Sequence, residues 1–224
     1  MARQLSLPIN RQPLSEQVYH QIKKLILTGQ LEQGTRLTEK TLAQDLGISP
    51  TPVRESLRRL YADGLVELQP YKGVIVRSVK PEEVLEAFAC REALEGLAGS
   101  SAAKAIDAEG IERLRDILAR TLQEESRDAL VKLNEEFHQV ILEYAQNRRL
   151  TLLLDTLQDI IRFRRQLAAY NPEYKGSIYR QHSAIADALE EKDSEKAARL
   201  LQEHIQDSAA SFAQEIHGNK ENNN

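Results

Sequence analysis

Residues 38–59 read TEKTLAQDLGISPTPVRESLRR, a pattern of two short helices joined by a tight turn. Glu39 to Leu46 places Leu42, Ala43 and Leu46 on one face, and Gly47 is a natural stop for that helix. Ser49 stands at an N-cap position, with Pro50 at the first helical residue, where no N–H is needed. Pro52 is harmless for the same reason, since first-turn amides have no partner inside the helix. In the second helix Val53, Leu57 and Leu60 recur at i, i+4 and i+7 and face inward, which leaves Thr51, Arg54, Glu55 and Arg58 outside. A polar, arginine-bearing second helix is the pattern of a helix-turn-helix, whose second helix enters the major groove of DNA. Arginine bonds bidentately to a guanine edge, so Arg54 and Arg58 are candidate readers. The same spacing also suits an ordinary helical pair with a solvated basic face.

The flanking residues favour the DNA-reading alternative. In LVELQPYKGVIVR, residues 65–77, Val66 and Leu68 alternate with polar residues, Pro70 to Gly73 form a turn, and Val74 and Val76 alternate again. This is a β-hairpin with a basic tip at Lys72, and a hairpin directly after a recognition-type helix makes a winged helix. Upstream, a helix from near Pro13 to Thr28 carries Leu14, Val18, Ile22, Leu25 and Ile26 on one stripe, ends at Gly29 and packs behind the helix pair. Lys23 and Lys24 read as part of its solvated face, and Thr35 to Leu37 as a short strand able to pair with the wing.

Charge is divided along the chain. Residues 1–78 hold 11 Lys and Arg against 7 Asp and Glu, a charge of +4, while residues 79–224 hold 19 against 27, a charge of −8. A basic head on an acidic body is expected where only the head meets phosphate. No apolar run approaches the length of a membrane span, and the opening MARQLSLPIN has no hydrophobic signal segment, so the expected location is cytoplasmic. The single cysteine, Cys90, rules out an internal disulfide framework and a multi-cysteine metal site; among apolar helical neighbours it reads as a buried small hydrophobe.

Residues 77–80 form a linker, and from Pro81 onward no strand signal appears. Six helical segments are expected at about 81–106, 109–125, 127–145, 148–169, 174–190 and 194–216, with Asp107, Ser126, Asn147 and Asp193 as caps and Asn171-Pro172 as a break. The expected fold is mainly α: a winged helix-turn-helix over residues 1–78, an all-helical domain over 79–217 and a disordered tail over 218–224.

Three of the five histidines lie on apolar stripes of separate helices. His138 sits beside Phe137 and Ile141, His182 lies in the stripe of Ile178, Ile185 and Leu189, and His204 in that of Ala197, Leu201 and Ser208. Asn134, one turn before His138, shares its face. Singly, each suits a hydrogen-bonded core residue; together they suit a divalent metal site inside a helix bundle, for which neutral imidazole fits zinc, nickel, iron or manganese. Three imidazoles and an amide leave coordination positions open for a carboxylate metabolite, with an arginine closing its other end. Arg91, in the CREALEG segment, is the first candidate for that arginine on the family resemblance given next, followed by Arg162 and Arg165, although for all three an ordinary ion pair, such as Arg91 with Glu95, fits at least as well.

The run from LSEQVYHQIKK to LVELQPYKGVIV, with TEK-LA--LG-S-TPVRE-LRRL--DGLV in order, resembles the DNA-binding domain of GntR-family bacterial transcription regulators. One departure is Pro50, where relatives carry a DNA-contacting arginine. The body resembles the FCD ligand-binding domain of the FadR branch, and six helices point to its VanR-like subgroup. That resemblance implies a divalent metal held by Asn134 and His138 of NEEFH, His182 of QHSAIADALEEKD and His204 of AARLLQEHI, with Asn replacing the commoner Asp. Lys40, Thr51, Arg54, Arg58, Lys72 and Gly73 are the expected DNA-contacting residues.

The combined expectation is a homodimeric repressor on a palindromic double-stranded operator, controlled by a small carboxylate effector at the metal. Two alternatives stand beside it: the metal is itself the signal, or the body is a metal-dependent hydrolase. Against the hydrolase, no HExxH-type base and no paired carboxylates accompany the histidines, so the chain is not expected to be an enzyme.

Overall fold

The computed structural model describes residues 13–165 and 172–221. The chain divides into two compact units, residues 1–78 and 79–224.

In the first unit the elements run α1 (Leu14–Leu27), β1 (Arg36–Leu37), α2 (Glu39–Leu46), α3 (Pro50–Ala62), β2 (Val66–Gln69) and β3 (Gly73–Val76). The antiparallel sheet has the order β1-β3-β2, with Arg36 opposite Ile75, Val66 opposite Val76, and Gln69 opposite Gly73. Val18, Ile22 and Ile26 of α1, Val53, Leu57 and Leu60 of α3, and Val66 and Val76 of the wing are buried. This core holds α1 behind the helix pair and leaves the opposite side of α3 to solvent.

Local chemistry accounts for each turn. The Thr38 hydroxyl caps α2 by accepting from the Thr41 N–H at 3.1 Å, and Gly47 closes it in the left-handed region at φ 65°. Ser49 has the extended backbone of an N-cap, but its side chain makes no capping bond. A capping oxygen bonds the N–H of the second or third helical residue, and the third is Pro52, which has none. At the wing tip Pro70 starts a turn closed by Lys72 N–H to Gln69 C=O at 3.2 Å, with Tyr71 at φ 65°.

Two expectations about this unit change. Leu68 shares a sheet face with Val66, as alternation requires, yet it is 68% exposed. The hairpin projects beyond the core, so its distal end keeps the facing and loses the cover. Leu14, at the first position of α1, is exposed in the same way.

The second unit comprises α4 (Pro81–Ala105), α5 (Ala108–Gln123), α6 (Arg127–Ala145), α7 (Arg148–Arg165), α8 (Pro172–Glu190) and α9 (Ser194–Glu221), six helices among the described residues. Asp107 caps α5 through the Gly110 N–H at 2.9 Å, Asn147 meets the Leu150 N–H, and Asp193 the Lys196 N–H at 3.0 Å; Ser126 starts α6 without a side-chain bond. Asn171, half of the expected break, lies outside the described residues, while Pro172 opens α8. The final helix runs to Glu221, past the start of the stretch read as disordered; extending an existing helix avoids the cost of nucleating one.

α4 packs against α6, α7 and α9, and glycines let α9 approach closely. A Cβ on Gly99 would lie 2.4 Å from Leu201 Cδ1. Cys90 on α4 is exposed, contrary to expectation. Apolar residues surround α4 on nearly every side, so their spacing does not single out the inward face. Among the described residues no helix is long and apolar enough to cross a membrane.

Candidate functional site

On the first unit, Thr51, Arg54, Glu55 and Arg58 all face solvent, with Val53, Leu57 and Leu60 buried on the other side of α3. Lys40 on α2 and Lys72 at the wing tip are exposed, and Gly73 is half-buried at φ 79°. Arg54 is engaged by Glu39 across the turn: its Nε lies 2.9 Å and its Nη2 2.8 Å from Glu39 Oε2. The guanidinium holds the Glu39 carboxyl below its ordinary pKa through this hydrogen bond. Glu39 drew no attention in the sequence, because only the fold brings it opposite a residue fifteen positions away.

In the second unit the helices place three imidazoles together. His138 comes from α6, His182 from α8 and His204 from α9, and all three are buried. One ligand atom from each lies within 4.8 Å of the others. His204 Nε2 lies 3.3 Å from His138 Nε2 and 3.4 Å from His182 Nε2. The His182 ring stacks on Phe137, with centroids 4.0 Å apart and planes at 4°, which fixes its orientation. Asn134 is half-buried on α6, one turn before His138.

The outer nitrogens have their own partners. His138 Nδ1 lies 3.1 Å from both carboxylate oxygens of Glu95 on α4, and His204 Nδ1 lies 2.8 Å from Gln181 Oε1. Glu95 also accepts from Arg91 Nε and Nη2 at 3.0 and 2.9 Å, with Arg91 5% and Glu95 1% exposed. Burial works to raise the Glu95 pKa, but the charges and hydrogen bonds of His138 and Arg91 outweigh it and hold it at about 2. Burial, together with His204, His138 and Arg91, pushes the His182 pKa well below 6.5, so its imidazole is neutral at pH 7.

These contacts define what the cluster accepts. A carboxylate accepts only, and an amide oxygen accepts, so Nδ1 of His138 and of His204 are the donors. Their Nε2 atoms then face each other 3.3 Å apart in a buried space, a separation that calls for a proton or a cation between them. Three imidazole nitrogens are a fitting donor set for a borderline divalent ion such as zinc or nickel. The residues present therefore fit a metal.

Sequence reading found the three histidines and missed two of the groups that orient them. Spacing offers Glu95 only as a partner for Arg91, four residues earlier, and nothing in it marks Gln181 beside His182. Of the effector-binding candidates, Arg91 lies in the ion pair beside the histidines, and Arg162 is held by Glu135 of α6. The side chain of Arg165 lies outside the described residues.

Residues 14–76 match the family described as bacterial regulatory proteins, gntR family, and residues 86–207, more than half of the chain, match the FCD domain. The chain belongs to the GntR family. Its FCD-containing body places it in the FadR branch. The regulator is 29% identical over 214 residues to the uncharacterized HTH-type transcriptional regulator YdhC of Bacillus subtilis (strain 168), covering 94% of this chain and 96% of that one. It is 24% identical over 206 residues to the HTH-type transcriptional repressor RspR of Escherichia coli (strain K12), covering 91% and 90%. Among solved structures it is similar to E. coli McbR/YncC, with a TM-score of 0.76 and 25% identity over 92% of this chain and 100% of that one. The regulator is a DNA-binding transcription factor and not an enzyme.

Proposed function

We propose that the regulator is a cytoplasmic homodimeric repressor whose affinity for a palindromic operator is set by a small carboxylate metabolite bound at a divalent metal in the FCD body. The observation that carries this reading is the convergence of three buried Nε2 atoms from three helices. His138, His182 and His204 hold the metal, and Asn134 is the fourth protein ligand. Glu95 is neutralised by Arg91, so this donor set brings no free negative charge to a dication. The bound metal supplies a Lewis-acidic anchor for an anion, and a carboxylate is the ligand class that matches it.

Arg91 is best placed to meet the far end of such a ligand, because it already stands beside the histidines in a buried ion pair. Arg162 and Arg165 are secondary candidates. At the other end of the chain, Lys40, Thr51, Arg54, Arg58, Lys72 and Gly73 form the DNA-reading surface, with α3 in the major groove and the wing tip beside it. Repression agrees with the name of the relative RspR. Effector binding acts by favouring one arrangement of the paired heads over another.

Metal analysis of purified protein, a thermal-shift screen of small carboxylates and gel shifts with each hit test this reading. A carboxylate that raises the melting temperature only in metal-loaded protein and alters operator retention supports it. Absence of bound metal after loading with zinc, nickel or manganese overturns the sensory half. A second reading, in which the metal itself is the signal, is favoured by the closely facing Nε2 pair. It predicts that a chelator alone changes operator affinity with no organic acid present.

A further inference from the structure

The charged readers on the exposed side of α3 are few. Its first turn holds Pro50, Thr51 and Pro52, with one side-chain donor among them, so the positive charge falls to Arg54 and Arg58. Arg54 is held from a neighbouring helix. Its Nε lies 3.0 Å from Glu39 Oε1 and 2.9 Å from Oε2, and its Nη2 lies 2.8 Å from Oε2. Both side chains remain accessible, at 55% and 37% exposure.

Both ends of this bridge are anchored. Glu39 is the first residue of α2, in a turn fixed by the Thr38 cap, and a carboxylate there also suits the helix dipole. Arg54 follows the fully buried Val53 and precedes Leu57, buried one turn later, so its backbone has no freedom to drift. The two helices meet through the left-handed Gly47. An open groove of about 650 Å³, lined by Glu39, Lys40, Gln44, Ile48, Pro50 and Arg54 among others, runs between them.

Guanidinium carries five N–H donors in a rigid fork. Glu39 occupies the side made by Nε and Nη2, leaving the end made by Nη1 and the second Nη2 hydrogen. An end-on pair of this kind can meet O6 and N7 of one guanine. An unheld arginine samples many rotamers and takes a phosphate as readily as a base.

We propose that Glu39 is a positioning residue for Arg54: it presents the end of the guanidinium to a guanine, and its negative charge disfavours phosphate at the same place. Glu39 therefore sets sequence discrimination and lowers affinity for arbitrary DNA. The inference rests on the DNA-reading half of the proposed function.

The test is in vitro selection from a randomised duplex library with full-length wild type, Arg54→Ala, Glu39→Gln and Glu39→Ala, followed by titration of the selected duplex and a scrambled one across salt concentrations. Arg54→Ala should lose a guanine preference in each half-site. Glu39→Ala should lose the same guanine preference, with the ratio of selected to scrambled affinity falling about tenfold, within the range of one bidentate contact. Its affinity for scrambled duplex should match or exceed wild type, with a salt dependence steeper by about one phosphate contact. Glu39→Gln, which keeps an acceptor and loses the charge, should fall between. Circular dichroism and melting curves confirm the fold of each variant.

Retention of the guanine preference in Glu39→Ala overturns the inference and leaves DNA reading intact. Equal tightening on both duplexes also overturns it, because the carboxylate then merely restrains Arg54. If wild type selects no motif, the DNA-reading function falls, and the inference with it.

Discussion

His138 Nδ1 lies 3.1 Å from both carboxylate oxygens of Glu95, and the two side chains are 6% and 2% exposed. A carboxylate in that position fixes which ring nitrogen carries hydrogen and aims the other at the neighbouring imidazoles. Glu95 thus links two things: the Arg91 charge, which it neutralises, and the direction of the His138 lone pair.

Removing Glu95 should therefore have two separable effects. Glu95→Ala leaves the Arg91 charge buried without this partner and should destabilise the protein by about 3–5 kcal/mol. It should also weaken zinc or nickel binding about 10–100-fold, as expected for the partner of a ligating histidine. Replacing both Arg91 and Glu95 with Met should recover stability and leave metal binding weak. Denaturant melts and competition titrations with a chromogenic chelator measure the two effects. Full recovery of metal affinity in the double variant would confine Glu95 to a structural role.

Metal should stabilise the wild type by mass action, by about 2.7 kcal/mol when free metal is 100 times Kd. Alanine at His138, His182 or His204 should each abolish the corresponding rise in melting temperature. Asn134→Asp should tighten binding, since an anionic oxygen is the stronger donor, and Asn134→Ala should weaken it. An Asn134→Ala variant with wild-type affinity would remove Asn134 from the ligand set.

In the first unit, the Tyr19 hydroxyl donates to Asp63, and the Arg59 guanidinium lies 3.9 Å from the Tyr19 ring centroid. Burial and the Asp63 hydrogen bond raise the Tyr19 pKa above 10.0, with Lys23 opposing them. The folded state therefore binds its proton more tightly than the unfolded chain. Stability from this bond is fully present below about pH 10 and is lost as pH rises through the raised value. Unfolding by denaturant from pH 8 to 11 should show a steeper alkaline loss in wild type than in Tyr19→Phe. Equal slopes would show that the bond contributes nothing to the pH dependence.

Gly99 and Gly176 should respond oppositely to alanine. At Gly99 a Cβ would lie 2.4 Å from Leu201 Cδ1 and 3.0 Å from the Ala197 carbonyl oxygen. The resulting overpacking costs about 1–3 kcal/mol, against about 1 kcal/mol gained in helix propensity, so Gly99→Ala should lower the melting temperature. At Gly176 the nearest atom is 3.5 Å away, on the Arg180 side chain, so the propensity gain of about 0.8–1 kcal/mol should appear. Thermal melts of both variants check the contrast.

Much of this architecture is local and was legible. The stripe of Val18, Ile22 and Ile26, the stops at Gly29 and Gly47, and the pattern from Val66 to Val76 are short-range signals, and the elements follow them. The readings that changed depended on what covers a residue. Leu68 has the correct facing but lies beyond the core, and Cys90 sits on a helix whose apolar residues are not confined to one face.

By itself the sequence determined the helices, the wing and the candidacy of His138, His182 and His204, because periodicity and turn chemistry act between neighbours in the chain. Only the tertiary structure decided that the three rings converge, that Glu95 reaches His138 forty-three residues away, and that Glu39 holds Arg54 across the turn. Such contacts join side chains on different helices. Their existence depends on how those helices pack, which no spacing along one helix records.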